Sequence, residues 1–173
     1  LRWPPDFREN NADPQNCNLR IPTVRFPTWY YCPFCGQMKQ TTYYETQPQC
    51  DAIQWKEGRK CSAAGKYRKK MIPERFIVVC PQGHIDDFPV AEWVHHDSGH
   101  TYNPNTCQIR RSTGGASANL TGVFYSCTCG AKRSLAGATK KGALERMGYT
   151  CKATKPWLGI SGEEICTAKT EDV

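Results

Sequence analysis

Apolar core residues are scarce in this chain. Leu, Ile, Val and Phe together account for only 27 of its 173 residues, a share below the roughly 20% at which chains become prone to disorder. No run approaches the ~20 consecutive apolar residues of a membrane-spanning helix, so no membrane span is predicted. A G-x4-G-K-[ST] phosphate-binding loop is also missing, which excludes a P-loop motor. No basic segment followed by an apolar run opens the chain, so no signal peptide is predicted.

Cysteine is the residue type that is abundant instead. The chain has 11 cysteines, with 5 Trp and 8 Tyr, and this composition argues against disorder. Because 11 is odd, a scheme of disulfides alone would leave at least one thiol unpaired. Structural metal sites would supply folding free energy on the order of 10 kcal/mol each and so compensate for the thin core. Reduced thiolates predict a cytoplasmic protein.

Two short motifs favour metal over disulfides. Residues 32–36 read C-P-F-C-G, a turn that aims two sulfurs at one cation and uses glycine for its unusual backbone angles. The same string resembles a glutaredoxin redox motif, but a strand-like run follows it instead of a helix, which favours metal. Residues 127–130 read C-T-C-G, where the two thiols are too close for an easy disulfide but can both bind zinc.

Each motif supplies two ligands, so each tetrahedral site needs two more from downstream. Chain order predicts two zinc sites of the zinc-ribbon type, although interleaved pairing between the two clusters is equally open. The predicted ligand sets are Cys32, Cys35, Cys61 and Cys80 for the first site and Cys127, Cys129, Cys151 and Cys166 for the second, with Cys50, His84 and Cys107 as alternative ligands.

The segment between the two motifs predicts a strand over residues 75–80, ended by a proline and a glycine. Asp87 is then predicted to cap a short helix with Pro89 in its first turn. Val90, Trp93 and Val94 would lie on one face of that helix.

Two hypotheses account for the polar residues of this segment. In the favoured one, His84 binds zinc beside Cys80 while Asp86 and Asp87 cap the helix. In the other, His84 and the two aspartates hold a divalent metal or perform acid–base chemistry, with His95, His96 or His100 as further ligands. No second motif supplies a nucleophile or a phosphate clamp, which favours the first.

The predicted fold class is α+β, an irregular and loop-rich arrangement of zinc-stabilised modules with short strands and short helices. Weak alternation over residues 24–31, with Pro22 just before and Pro27 within this segment, predicts an edge strand there. A second strand is predicted over 118–127 and a helix over 134–147. The predicted domains are a polar N-terminal extension (1–18), a first zinc-knuckle module (19–100), and a second zinc-binding module with an acidic tail (101–173).

The net charge of +7 is unevenly distributed. Residues 56–70 contain seven cations and one anion, and a second basic stretch covers 132–146. Clustered cations bind phosphates by releasing counterions, which predicts a nucleic-acid contact, whereas a solvated loop is the alternative. The predicted nucleic-acid-binding residues are Arg59, Lys60, Lys66, Arg68, Lys69 and Lys70.

Three strings carry a family likeness: RFPTWYYCPFCG at 25–36, ERFIVVCPQGHIDDFP at 74–89 and CTCGAKRSLAGA at 127–138. In this order they resemble the DrmB family of bacterial DISARM antiphage systems, over roughly residues 20–166. The G-H-x-D-D-F-P string is the most specific part, and Val90 departs from the Trp expected there. Members of that family are several times longer, and this chain begins with Leu1. We therefore expect a fragment, an incompletely covered protein or a split version of the family.

The resemblance implies a non-catalytic role. It implies a zinc-rich scaffold that associates with a DrmA-like helicase and engages DNA without sequence specificity, and it carries no catalytic role onto His84, Asp86 or Asp87. Two alternatives come from other classes. One is a metal-dependent nuclease centred on those three residues, and the other is a protein-binding zinc scaffold without DNA affinity.

Overall fold

Three small antiparallel sheets, two short helices and long loops make up the part of the chain that the structure describes. The structure is a computed structural model that describes residues 23–52, 61, 70–114, 120–159, 165–168 and 171–172. This arrangement confirms the predicted α+β, loop-rich class. The strands are β1 (Trp29–Tyr31), β2 (Met38–Gln40), β3 (Ile72–Pro73), β4 (Ile77–Val79), β5 (Ile85–Asp87), β6 (Ile109–Thr113), β7 (Val123–Cys127), β8 (Lys132–Ser134) and β9 (Glu171–Asp172). The α-helices are α1 (Val90–His95) and α2 (Ala143–Arg146), and 3-10 turns cover Leu120–Gly122 and Pro156–Leu158.

Each sheet contains one hairpin with a tight turn. The first sheet has the order β2-β1-β3, the second β5-β4-β9 and the third β6-β7-β8. The hairpins are β1–β2, β4–β5 and β7–β8, with Tyr31 opposite Met38, Val79 opposite Ile85 and Ser126 opposite Lys132. All three turns contain cysteine. The paired strands on either side of each turn therefore fix the position of its cysteine.

Two elements differ from the sequence prediction. The predicted edge strand at 24–31 is wrong, because β1 pairs with β2 on one side and β3 on the other. Pro27 precedes β1, so all three of its residues keep their N–H groups. The predicted helix over 134–147 is also wrong: β8 continues to Ser134, and only Ala143–Arg146 is α-helical. Gly137 and Gly142 adopt φ values of +82° and +71°, which a right-handed helix cannot contain.

The strand predicted at 75–80 is present as the shorter β4, and Val90, Trp93 and Val94 of α1 are buried. Asp87, however, does not cap this helix, because α1 begins after Pro89 and has no side-chain cap. The Asp87 carboxylate instead accepts hydrogen bonds from the Thr28 N–H at 2.9 Å and from the Thr28 hydroxyl. It therefore joins the second hairpin to the start of β1.

Two apolar clusters form the core. The larger one packs α1 against β7 and β8, with Trp93, Tyr125, Leu135 and Leu144 at most 2% exposed. The smaller cluster contains few hydrocarbon side chains, and cysteines make up half of it. Its buried members are Tyr30, Cys32, Cys50, Ala52, Cys61 and Met71.

Contacts between the first and third sheets cross the module boundary predicted near residue 100. The Arg111 N–H donates to the Gly36 carbonyl at 2.7 Å, and Gln37 bridges Arg110. The Arg111 guanidinium also forms an ion pair with Glu74, with Nε 3.2 Å from Oε2, and stacks over the Tyr31 ring. The domain division itself stays a prediction about which parts fold alone.

The Glu74–Arg111 pair provides a stability prediction. The Glu74 side chain is 1% exposed and that of Arg111 14%, so Glu74→Ala would leave a buried charge without its partner. We expect this variant to lower the free energy of unfolding by about 3–5 kcal/mol, measured by urea denaturation of metal-loaded protein. The matched control is Asp51→Ala, which removes the Lys39–Asp51 pair with its 70% exposed carboxylate and should cost at most about 1 kcal/mol. Equal losses of stability in the two variants would show that the buried Glu74–Arg111 pair contributes no more than an exposed pair.

Candidate metal centres

The three cysteine-containing hairpin turns share one geometry. Each begins with a cysteine whose N–H is bonded across the turn: Cys32 to the Gln37 carbonyl, Cys80 to that of His84, and Cys127 to that of Ala131, at 2.9, 3.0 and 2.8 Å. A glycine with positive φ follows in every turn and donates its N–H back to the same cysteine's carbonyl. These glycines are Gly36 (φ +73°), Gly83 (φ +83°) and Gly130 (φ +100°).

The first turn contributes to an all-cysteine group. Cys32, Cys35, Cys50 and Cys61 place their sulfurs within 4.8 Å of one another. Cys32 Sγ lies 3.9 Å from Cys61 Sγ, and Cys35 Sγ lies 3.5 Å from Cys50 Sγ. Three of the four are at most 2% exposed, so this group is part of the smaller core cluster.

The second turn contributes Cys80 and His84 to a mixed group with Cys151 and Cys166. His84 Nδ1 lies 3.3 Å from Cys80 Sγ and 3.6 Å from Cys151 Sγ, while Cys80 Sγ lies 3.9 Å from Cys166 Sγ. The Ala153 N–H points at the Cys151 sulfur, and Cys166 Sγ contacts Gln82 Oε1. The group ties the β4–β5 hairpin to the C-terminal part of the chain.

The third turn contributes Cys127 and Cys129, which meet Cys107 and His95. His95 is buried at the end of α1, and its Nδ1 lies 2.6 Å from the Ala91 carbonyl oxygen. Because Nδ1 must donate in that contact, the lone pair is on Nε2. Within the described ranges Nε2 is buried and has no hydrogen-bond partner. A neutral imidazole held through Nδ1 with a free Nε2 is the arrangement of a metal-binding histidine.

The distances within the first two groups match tetrahedral coordination. Zn–S bonds of about 2.3 Å place sulfurs about 3.8 Å apart at the corners of a tetrahedron, and a sulfur and an imidazole nitrogen about 3.6 Å apart. The observed sulfur–sulfur distances are 3.5 and 3.9 Å, and the sulfur–nitrogen distances 3.3 and 3.6 Å. A disulfide would need about 2.05 Å, and all ten described cysteines are free thiols. Each group could therefore hold a metal ion.

Backbone N–H groups two residues downstream of the thiols supply favourable electrostatics. Such donors face Cys32, Cys35, Cys50, Cys80 and Cys151, from Phe34, Gln37, Ala52, Gln82 and Ala153 respectively. Hydrogen bonds of this kind favour the thiolate form, which is the form that binds metal. The turns thus orient the sulfurs and prepare them for a cation.

The second group shows how the thiols influence one another. Burial raises the pKa of Cys80, but N–H groups of His84 and Gln82 and the Cys151 and His84 side chains outweigh it and lower the pKa to about 7. Burial is the largest influence on Cys151 and raises its pKa to about 12; the Ala153 N–H opposes it, and the Cys80 and Cys166 thiols add smaller raising contributions. Because neighbouring thiolates repel one another, a divalent cation is needed to keep all of them ionised.

Comparison with known proteins assigns the chain to a family. A family model described as a domain of unknown function (DUF8724) matches residues 1–173. The chain belongs to the DUF8724 family. It is also 26% identical over 144 residues to the DISARM protein DrmB of Bacillus paralicheniformis, which confirms the resemblance predicted from sequence. The alignment covers 83% of this chain and 24% of that relative, so the chain spans about a quarter of the relative's length.

The DUF8724 chain groups its cysteines differently from the sequence-derived sets. Cys32, Cys35 and Cys61 lie together as expected, but Cys50 is the fourth member and Cys80 belongs to the second group. Cys151 and Cys166 join Cys80, far from the C-x-C motif with which they were predicted. Among the described residues the groups number three, and Cys80, Cys151 and Cys166 form a group of their own that contains neither motif.

His95 was considered from sequence only as a further ligand of the site around His84 and the two aspartates, whereas the structure places it with Cys107, Cys127 and Cys129. The C-P-Q-G run at 80–83 was a usable signal, since it repeats the start of the C-P-F-C-G motif and also ends in glycine. A third hairpin turn could have been inferred from that repetition.

The residues of the nuclease hypothesis do not converge. His84 faces cysteines, whereas Asp86 accepts a 2.8 Å hydrogen bond from the Tyr149 hydroxyl and lies 3.7 Å from Lys152 Nζ. Asp87 faces Thr28. In the described ranges neither aspartate belongs to a group that could hold a metal ion, so the geometry does not support this site.

Of the predicted nucleic-acid-binding residues, Lys70 alone lies in the described part of the chain. It is exposed and bridges Gln49. Arg59, Lys60, Lys66, Arg68 and Lys69 lie outside the described residues. A search of the described helices finds none long and apolar enough to cross a bilayer.

The turn glycines allow a matched test. Gly36→Ala would force an L-residue to a φ of +73° and push its Cβ into the Arg111 carbonyl, whereas a Cβ on Gly83 meets no atom of the described chain. We expect Gly83→Ala to lower the free energy of unfolding by about 1–2 kcal/mol, because of backbone strain alone. Gly36→Ala should lower the free energy of unfolding clearly more, because the contact with the Arg111 carbonyl adds to the strain. Thermal or urea unfolding measures both variants. Similar losses of stability in the two variants would show that the Arg111 backbone does not pack closely against this turn.

The third group provides a prediction about metal content. His95→Ala should lose one bound metal ion per chain, while the other two groups keep theirs, as measured by native mass spectrometry. The control is His96→Ala, which changes the adjacent exposed histidine and only its contact with Asp97. A full metal complement in His95→Ala would remove His95 from the ligand set.

Proposed function

We propose that this chain is a zinc-binding scaffold within an antiphage defence complex of the DISARM type, where it contacts DNA and a helicase partner. The observation that carries the proposal is the set of three groups of cysteine and histidine that could each hold a metal ion, placed at three hairpin turns of a chain similar to DISARM protein DrmB. The reduced state of the described thiols supports a cytoplasmic location.

The donor chemistry of the groups supports zinc. Cysteine sulfur and histidine nitrogen are soft or borderline ligands that do not suit magnesium or calcium, and two groups combine three cysteines with one histidine. Zinc in such sites is four-coordinate. The four protein ligands fill every coordination position, so no site remains for a water or substrate. This saturation supports a structural role over a catalytic one.

The support for DNA contact is electrostatic. The chain carries a net charge of +7, and the basic segment at 56–70 contains Cys61, which the first group holds in place. A second set of cations is exposed in the described structure between the start of β8 and the end of α2. These are Lys132, Lys140, Lys141 and Arg146. Clustered cations bind phosphates by releasing condensed counterions.

Exposed apolar side chains in the C-terminal part of the chain support a protein partner. Trp157 and Leu158 are 55% and 56% exposed in one 3-10 turn, and Ile165 is 96% exposed. A helicase subunit is the partner that the DrmB resemblance implies.

The DNA contact is tested by reversing the charges of Lys66, Arg68, Lys69 and Lys70. If each binds one phosphate, the variant should bind duplex DNA more weakly. The slope of log affinity against log salt should also fall by about 0.9 per lost contact. Fluorescence anisotropy over a salt series measures both quantities.

The matched control exchanges Lys for Arg and Arg for Lys at the same four positions, which keeps the charge and should keep the salt slope. Unchanged binding after charge reversal would remove this segment from the interface. A wild-type chain that binds the helicase subunit but no DNA would instead favour the protein-binding scaffold.

A further inference from the structure

A cleft of about 520 Å³ lies beside the first hairpin, away from the three metal groups. It is formed by the segment before β1, the loop after β2 and β3. The residues that matter for its chemistry are Arg25, Phe26, Tyr30, Tyr43, Tyr44 and Pro73. This volume is within the range of about 300–1,000 Å³ that is common for ligand sites.

The two walls of the cleft are held together by the backbone. The Arg25 N–H donates to the Tyr43 carbonyl at 2.9 Å, which fixes the first wall to the second. Tyr30 is 5% exposed at the base. The Tyr44 hydroxyl lies against Gly159, whose φ of +67° and missing side chain make room for it. The cleft is therefore a preformed feature, and its binding groups need little ordering.

Aromatic rings beside an exposed cation indicate which class of ligand the cleft can bind. Tyr44 is 74% exposed, although large apolar side chains usually avoid water. Arg25 is exposed as well. An exposed ring offers a face on which a flat heterocycle can stack, and a guanidinium binds the phosphate attached to it.

We propose that this cleft binds one unpaired nucleotide of single-stranded DNA, with the base stacked on Tyr44 and its phosphate on Arg25. The inference rests on the DNA contact of the proposed function and specifies which form of DNA this surface takes. A base inside a duplex cannot present its face to a side chain, so the cleft selects unpaired bases.

The charges around the cleft are compatible with a phosphate. Two acids act on Tyr43, Asp86 and Asp87, and their carboxylates are engaged by Tyr149 and Thr28 respectively. Glu45, in the same loop, accepts a hydrogen bond from the Thr42 N–H at 3.1 Å. Burial, and then the charges of Asp86 and Asp87, raise the pKa of Tyr43. Its hydroxyl therefore stays protonated at neutral pH and can donate a hydrogen bond to a phosphate or a base carbonyl. A proline-rich peptide could also use aromatic rings, but it would leave the guanidinium without an anion.

The test compares a fluorescent oligothymidylate with a blunt duplex by anisotropy at fixed low salt, using the metal-loaded chain. Tyr44→Ala should weaken binding of the oligothymidylate about tenfold, in line with the loss of one stacked base, and leave duplex binding unchanged. Tyr44→Phe keeps the ring and should bind like the wild type. Arg25→Gln should weaken oligothymidylate binding and lower its salt slope, whereas Arg25→Lys keeps the charge and the slope.

The outcomes separate this inference from the proposed function. If the wild type binds duplex DNA and Tyr44→Ala leaves oligothymidylate affinity unchanged, the cleft proposal is wrong and the DNA contact stands. If the wild type binds neither the oligothymidylate nor the duplex, the cleft proposal and the proposed DNA contact are both wrong. If a proline-rich peptide binds with loss in Tyr44→Ala while oligothymidylate binding does not depend on Tyr44, the cleft is a peptide site and the nucleotide assignment fails.

Discussion

A cysteine at the first position of a tight hairpin turn is the constraint on which this structure depends. The turn must bend sharply enough for downstream N–H groups to face the sulfur, and a glycine with positive φ makes that bend possible. The same geometry occurs three times, at Cys32, Cys80 and Cys127. Each of these hairpins pairs only three residues of one strand with three of the other and would be marginal alone. The hairpins and the groups at their turns therefore stabilise one another.

Metal ions at these groups would explain how a chain with so few aliphatic residues can fold. In the smaller core cluster, thiols occupy positions that Leu or Val would fill in an ordinary domain. Burying several thiols together is unfavourable once they ionise, unless a cation neutralises them. Structural zinc contributes about 10–16 kcal/mol of binding free energy per site in small peptides, comparable with the whole net stability of a typical domain. Folding and metal binding are thus coupled.

Local features of the structure could be predicted from sequence, and long-range ones could not. The C-P-F-C-G and C-T-C-G turns, β4 and the buried face of α1 were predictable because each is encoded within a few neighbouring residues. Ligand pairing was not, since Cys80 meets Cys166 across 86 positions and chain order does not report which hairpins face each other. The helix predicted at 134–147 failed for a local reason: its apolar spacing suits a helix, but Gly137 and Gly142 adopt angles that interrupt one.

The order of ligands along the chain explains why the groups make one unit from separate hairpins. A metal that joined two hairpin cysteines to close neighbours would stabilise only that hairpin. In this chain the second group joins Cys80 to Cys151 and Cys166, and the third joins His95 at the end of α1 to the β7–β8 turn. Because the cost of closing a loop grows only slowly with its length, these distant connections cost little more than local ones. They fix the relative positions of sheets whose direct contacts are few. A scaffold of the proposed kind, which presents separate surfaces to different partners, would need that rigidity, and metal coordination would supply it without a large core.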